Sequence, residues 1–107
     1  MYTGTNPSAL RSREWLTNAF MSLLASKKYE EITIKEICRK ADLSRQTFYQ
    51  IFDSKDEVVE YQFLRLFSEF RAECGSFTDI SLAELSLRFF SFFGKHSEFI
   101  RVIPSVT

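Results

Sequence analysis

A chain of 107 residues, 45% hydrophobic and 26% charged, has the length of one domain and can bury a real core. Two prolines and three glycines favour helices over a turn-rich β fold. No apolar run approaches a membrane span, and the opening MYTGTNPSAL lacks the basic-then-apolar order of a secretory signal, so a cytoplasmic protein outside the membrane is expected. The formal charge is zero, yet it divides: nine Lys/Arg meet six acids through Lys55, giving +3, and five meet eight from Asp56 onward, giving −3.

That asymmetry fits a basic end facing nucleic acid and an acidic remainder. Met1 to Asn6 is small and polar and reads as a frayed arm. Pro7 suits a first helical position, and Leu16, Ala19, Phe20, Leu23 and Leu24 then form one apolar stripe with Trp15 beside it, predicting a helix that ends near Lys27 and Lys28. Arg11 and Arg13, near its start, are placed either to meet a phosphate backbone or simply to be solvated. Tyr29 should pack under the turn that follows.

Thr33 and Glu36 make a capping box for a second helix, with Ile32 and Ile37 at the staple positions and Ile34, Ile37, Cys38 and Ala41 on one stripe. Ser44 is placed as the N-cap of a third, and Leu43 can pack on Phe48 four residues into it. Two short helices joined by a tight turn outline a helix-turn-helix. In the third, Phe48, Ile51 and Phe52 share an inward face, which leaves Arg45, Gln46, Tyr49 and Gln50 opposite. Such side chains suit base edges and phosphates, although a solvated helix face has the same composition.

Ser54 to Glu57 forms another S/T-x-x-E box, opening a long helix. Its Val58, Val59, Tyr61, Phe63, Leu64, Leu66, Phe67 and Phe70 occupy more than one stripe, so it must pack on several sides. Gly75 suits its C-terminal cap. Ser81 and Glu84, with Ile80 and Leu85 as the staple, start a helix through Leu82, Leu85, Phe89, Phe92 and Phe93 that stops at Gly94. His96 to Ile103 reads as a short helix halted by Pro104. Cys38 and Cys74 lack CxxC spacing and share the chain with a single histidine, so reduced thiols are expected and neither metal nor cofactor is. No nucleophile elbow or phosphate-cradling glycine loop is present, and an enzyme is not expected.

Between about Arg13 and Leu66, the pieces Tyr29, Thr33, Ile37, Ala41, Ser44, Thr47, Tyr49, Phe52, Ser54 and Lys55 resemble the N-terminal domain of the TetR family of bacterial transcriptional repressors. The resemblance implies an all-α protein: a three-helix DNA-binding head with its helix-turn-helix over residues 8–55, then a long connecting helix and the first helices of a ligand-binding and dimerisation body over 56–107. It also implies that Arg45, Gln46 and Thr47 approach bases while Thr33, Ser44, Tyr49, Gln50 and Lys55 hold phosphates. The partners implied are an operator duplex, a second copy of the chain and a small-molecule inducer. The helices that usually pair two subunits would lie beyond Thr107. Lys28, Cys38, Asp42, Gln46 and Ile51 depart from the family's usual residues, glycine being frequent at the positions of Lys28, Asp42 and Gln46. The competing reading is a helical protein-interaction module that does not bind DNA.

Overall fold

The computed structural model describes residues 1–74 and 81–102, and every regular element among them is helical. Helix α1 spans Pro7–Leu24, α2 Ile34–Ala41, α3 Arg45–Ile51, α4 Lys55–Cys74, α5 Leu82–Gly94 and α6 Ser97–Ile100, and a single 3₁₀ turn, Tyr29–Glu31, links α1 to α2. The expected cap at Gly75, the staple residue Ile80 and the halting Pro104 lie outside the described residues, while the last helix, expected over His96 to Ile103, spans only Ser97–Ile100, the Val102 amide turning back onto the Phe99 carbonyl at 2.9 Å.

Local chemistry sets most of the boundaries. Pro7 stands at the start of α1 behind Asn6, whose side chain accepts the Ser8 amide at 2.9 Å. Thr33 and Glu36 form the full capping box of α2, and Ser44 and Ser81 accept the amides of Thr47 and Glu84. Other expectations also need correction. Helix α1 ends at Leu24, with the amides of Ser26 and Lys27 turning back onto the Leu23 carbonyl, so Lys27 is released for an ion pair with Glu36. At α4 the Glu57 carboxylate takes the amide of Asp53 at 3.2 Å, one residue earlier than a regular box would have it.

The arm is also docked. The Tyr2 amide donates to the Ile51 carbonyl at 2.7 Å, satisfying an acceptor at the C-terminal end of α3, and the Met1 ammonium lies 2.9 Å from Glu57.

Leu16, Phe20, Ile32, Ile37, Phe48, Phe52 and Val58 are almost wholly removed from water and close one core among α1 to α4. Truncating a buried phenylalanine such as Phe48 to alanine costs about 3–5 kcal/mol by lost transfer energy and the cavity left behind. The same core continues along α4, where Phe70 meets Phe89, Phe92 and Phe93 of α5 at centroid distances of 5.5 to 5.7 Å. Between them, α1 and α4 share a polar seam. Arg65 reaches Glu14 at 2.6 Å, Asn18 at 3.0 Å and the buried Gln62 at 2.9 Å, while the Tyr61 hydroxyl donates to Glu14.

Candidate nucleic-acid interface

Helix α3 is held from below and open above. Phe48 and Ile51 are buried, Phe52 closes the C-terminal end, and the Ser44 hydroxyl caps the start at 3.1 Å from the Thr47 amide. Arg45, Gln46, Tyr49 and Gln50 are exposed, and Thr47 is half-buried with its hydroxyl 3.0 Å from that of Ser44. Tyr49 stands 54% exposed, its ring edge-on to Phe48 at 5.3 Å, so the packed ring fixes where the phenol projects. One guanidinium, two carboxamides and a phenol on a rigid, exposed face offer the donors and acceptors that base edges and phosphates match.

The turn feeding α3 is equally defined. Asp42 adopts φ 58°, ψ 44°, the left-handed conformation in which glycine is comfortable and aspartate is tolerated. Its amide donates to Arg39, and that of Leu43 donates to Cys38 at 2.9 Å, the paired closure of a Schellman turn. Arg39 and Lys40 in the last turn of α2 complement its dipole. The Cys38 thiol beneath is buried, and burial raises its pKa above the ordinary thiol value.

Thr33 and Lys55 stand at the other corner, where α2 begins and α4 passes. The Lys55 ammonium donates to the carbonyls of Tyr29 at 2.8 Å and Ile32 at 3.0 Å and lies 4.0 Å from the centre of the Tyr29 ring. The Tyr29 hydroxyl donates to Asp56, and burial first, then that carboxylate, push its pKa up, so it keeps its proton. The Thr33 hydroxyl donates to Glu36 Oε1 at 3.2 Å and accepts the Glu36 amide at 3.1 Å. Lys27 neutralises the other oxygen of Glu36. Arg13 is turned away from any such surface, its guanidinium stacked 4.4 Å from the Tyr61 ring centre.

Thus Arg45, Gln46, Thr47, Ser44, Tyr49 and Gln50 come together on α3 and its cap, whereas Thr33 and Lys55 sit at the start of α2 and α4, with the Thr33 hydroxyl and two of the three Lys55 donors engaged within the protein. Sequence reasoning missed the wider part played by Glu36, which it read only as a local cap. Nothing in the spacing marks Lys27, nine residues away, as its partner.

Residues 16–61 match the family described as bacterial regulatory proteins, tetR family. Among similar proteins, "Uncharacterized HTH-type transcriptional regulator YxbF" of Bacillus subtilis (strain 168) is 39% identical over 61 residues, covering 56% of this chain and 16% of that protein. "HTH-type dhaKLM operon transcriptional activator DhaS" of Lactococcus lactis subsp. lactis (strain IL1403) is 33% identical over 54 residues, covering 50% of this chain and 29% of that one. The chain therefore spans less than a third of the length of either relative. The segment that builds α2, α3 and their turn thus matches the tetR family of bacterial regulatory proteins.

Proposed function

We propose that this chain is a sequence-specific DNA-binding transcriptional regulator, with residues 8–55 as the DNA-reading head and 56–107 as the start of a regulatory and dimerisation body. The observation that carries the reading is the face of α3: Arg45, Gln46, Tyr49 and Gln50 exposed on a helix whose other face is locked by Phe48 and Ile51. Inserted in a major groove, Arg45, Gln46 and Thr47 meet base edges, and Ser44, Tyr49 and Gln50 meet the flanking phosphates. Thr33 and Lys55 support the same docked pose from the corner behind.

The finer reading is a repressor that binds its operator as a dimer and is released by a small molecule. A cleft of about 380 Å³ between α4 and α5, lined by Phe70, Glu73, Leu87, Arg88, Ser91 and Phe92, supports ligand response, being apolar with a few charged groups. Exposed Phe63, Leu64 and Phe67 on α4 and Leu87 and Phe90 on α5 support pairing of two copies. DhaS is named an activator, so a reporter assay must establish the direction of regulation.

The test is a salt titration of binding to a labelled random-sequence duplex. Affinity that falls steeply between about 50 and 200 mM salt supports the reading through counterion release. No binding at the low end would leave the interaction module as the better account.

A further inference from the structure

The peptide unit joining Ile32 to Thr33 is held at both ends by opposite charges. Its carbonyl oxygen accepts from the Lys55 ammonium at 3.0 Å, and its amide donates to Glu36 Oε1 at 3.3 Å. The same two side chains secure what adjoins it: Lys55 also holds the Tyr29 carbonyl, and Glu36 also receives the Thr33 hydroxyl proton. Lys27 balances Glu36, so these three groups together carry a net charge of +1. Ile32 itself is 1% exposed, which anchors the unit in the core.

We propose that Lys55 and Glu36 are positioning residues for DNA binding, acting through the Ile32–Thr33 peptide they clamp rather than through direct phosphate contact. This rests on the DNA-binding reading and reassigns part of it. A lysine has three donors, and two here are spent on carbonyls while the ammonium also covers an aromatic face. Thr33 has one hydroxyl proton, and Glu36 takes it. Most of the corner's hydrogen-bonding capacity is therefore spent within the protein, one ammonium donor remaining. It fixes the entry of α2, against which α3 is packed, and a shift of that entry misaligns the groups on α3.

Charge and position give opposite signs for Glu36. If only charge matters, Glu36→Gln removes an anion from a DNA-facing end and tightens binding. If the clamp matters, Glu36→Gln weakens the hold on the Thr33 amide and hydroxyl and frees Lys27, and binding weakens. For Lys55→Met a direct phosphate contact predicts a salt slope reduced by about 0.9, whereas a positioning role lowers affinity at every salt with the slope nearly unchanged.

The experiment measures binding of the chain and its variants to a labelled random-sequence duplex across about 50 to 200 mM salt, at a temperature where thermal melts show each variant folded. The expected result is a loss of about three- to tenfold for Lys55→Met and for Glu36→Gln, an unaltered slope for Lys55→Met, and a double variant little worse than either single one, because both act on one peptide. A slope reduced by about 0.9 for Lys55→Met, or tighter binding by Glu36→Gln, overturns the proposal. So do variants that melt earlier yet bind with unchanged affinity, since the clamp would then be structural only. If Lys55→Met does not fold, the sign of the Glu36→Gln effect decides alone. Failure of the unaltered chain to bind any duplex at low salt overturns the DNA-binding reading and this one together, and is told apart by being seen without any substitution.

Discussion

At the scale of single residues, Arg45 and Asp42 carry the sharpest consequences. Arg45→Ala lowers affinity for the preferred operator by about 1–3 kcal/mol and loosens selection at one position, because a guanidinium pairing with guanine reads sequence and not only charge. Selection of bound sequences from a random pool measures it, and an equal loss on all sequences makes Arg45 a phosphate contact instead. Asp42 departs from the glycine frequent in the family while keeping the backbone that glycine serves. Asp42→Gly is expected to hold or raise stability by up to about 1 kcal/mol, and Asp42→Val to lower it by about 1–2 kcal/mol, the cost of a branched side chain at positive φ. Urea midpoints of the two variants compare them directly; equal midpoints would mean the turn relaxes out of the left-handed region. The inward set on α3 was legible because a helical period alone decides it. Lys55 was not, since its acceptors are the carbonyls of Tyr29 and Ile32, 26 and 23 residues away, and no local pattern encodes a backbone oxygen brought near by the fold.

Among elements, the starts of helices were legible and the seams between them were not. Caps at Thr33, Ser44 and Ser81 are contacts within four residues and follow from sequence. The seam of α1 with α4 depends on Glu14, Tyr61, Gln62 and Arg65, residues as many as 51 positions apart, and an apolar-stripe reading has no place for a buried Gln62. The seam predicts a pH response. Burial alone would raise the Glu14 carboxyl, but hydrogen bonds from Tyr61 and Arg65, with the charges of Arg65 and Arg13, hold its pKa below the ordinary 4.5. A carboxylate whose folded pKa is depressed adds stability that is fully present above its unfolded value and is lost as pH falls through the folded one. Thermal stability is therefore expected to be level above about pH 5 and to decline below 4.5. Glu36 and Glu57, also depressed by their cationic partners, add to the same decline. Glu14→Gln lowers the neutral-pH melting temperature and flattens the acid slope; an unchanged slope would place the whole response on the Glu36 and Glu57 pairs.

For the whole molecule, the question is what covers the C-terminal half. Nine of the twelve phenylalanines fall from Phe63 onward. Phe70, Phe92 and Phe93 bury one another, yet Leu87 and Phe90 each remain 72% exposed, and Phe63 and Phe67 stack on one another at the surface of α4. The radius of gyration is 15.4 Å, against about 13 Å for a compact domain of this length, so the molecule is elongated even though the buried Phe99 and Val102 at its C-terminal end belong to the same core as α1. Under the DNA-binding function proposed above, a second copy would fit both facts, because an operator read by two α3 helices about one DNA turn apart needs two heads joined at their far ends. The prediction is that the chain sediments as a dimer at on the order of tens of micromolar, and that a Leu87→Asp, Phe90→Asp double variant sediments as a monomer with helicity intact, since neither side chain is part of the buried core. The same variant is expected to bind duplex with a salt slope about half that of the dimer, having lost one head's phosphate contacts. A wild-type chain that sediments as a clean monomer and binds no apolar dye would show that these side chains need no cover, and pairing through α4 and α5 would be wrong whatever α3 reads.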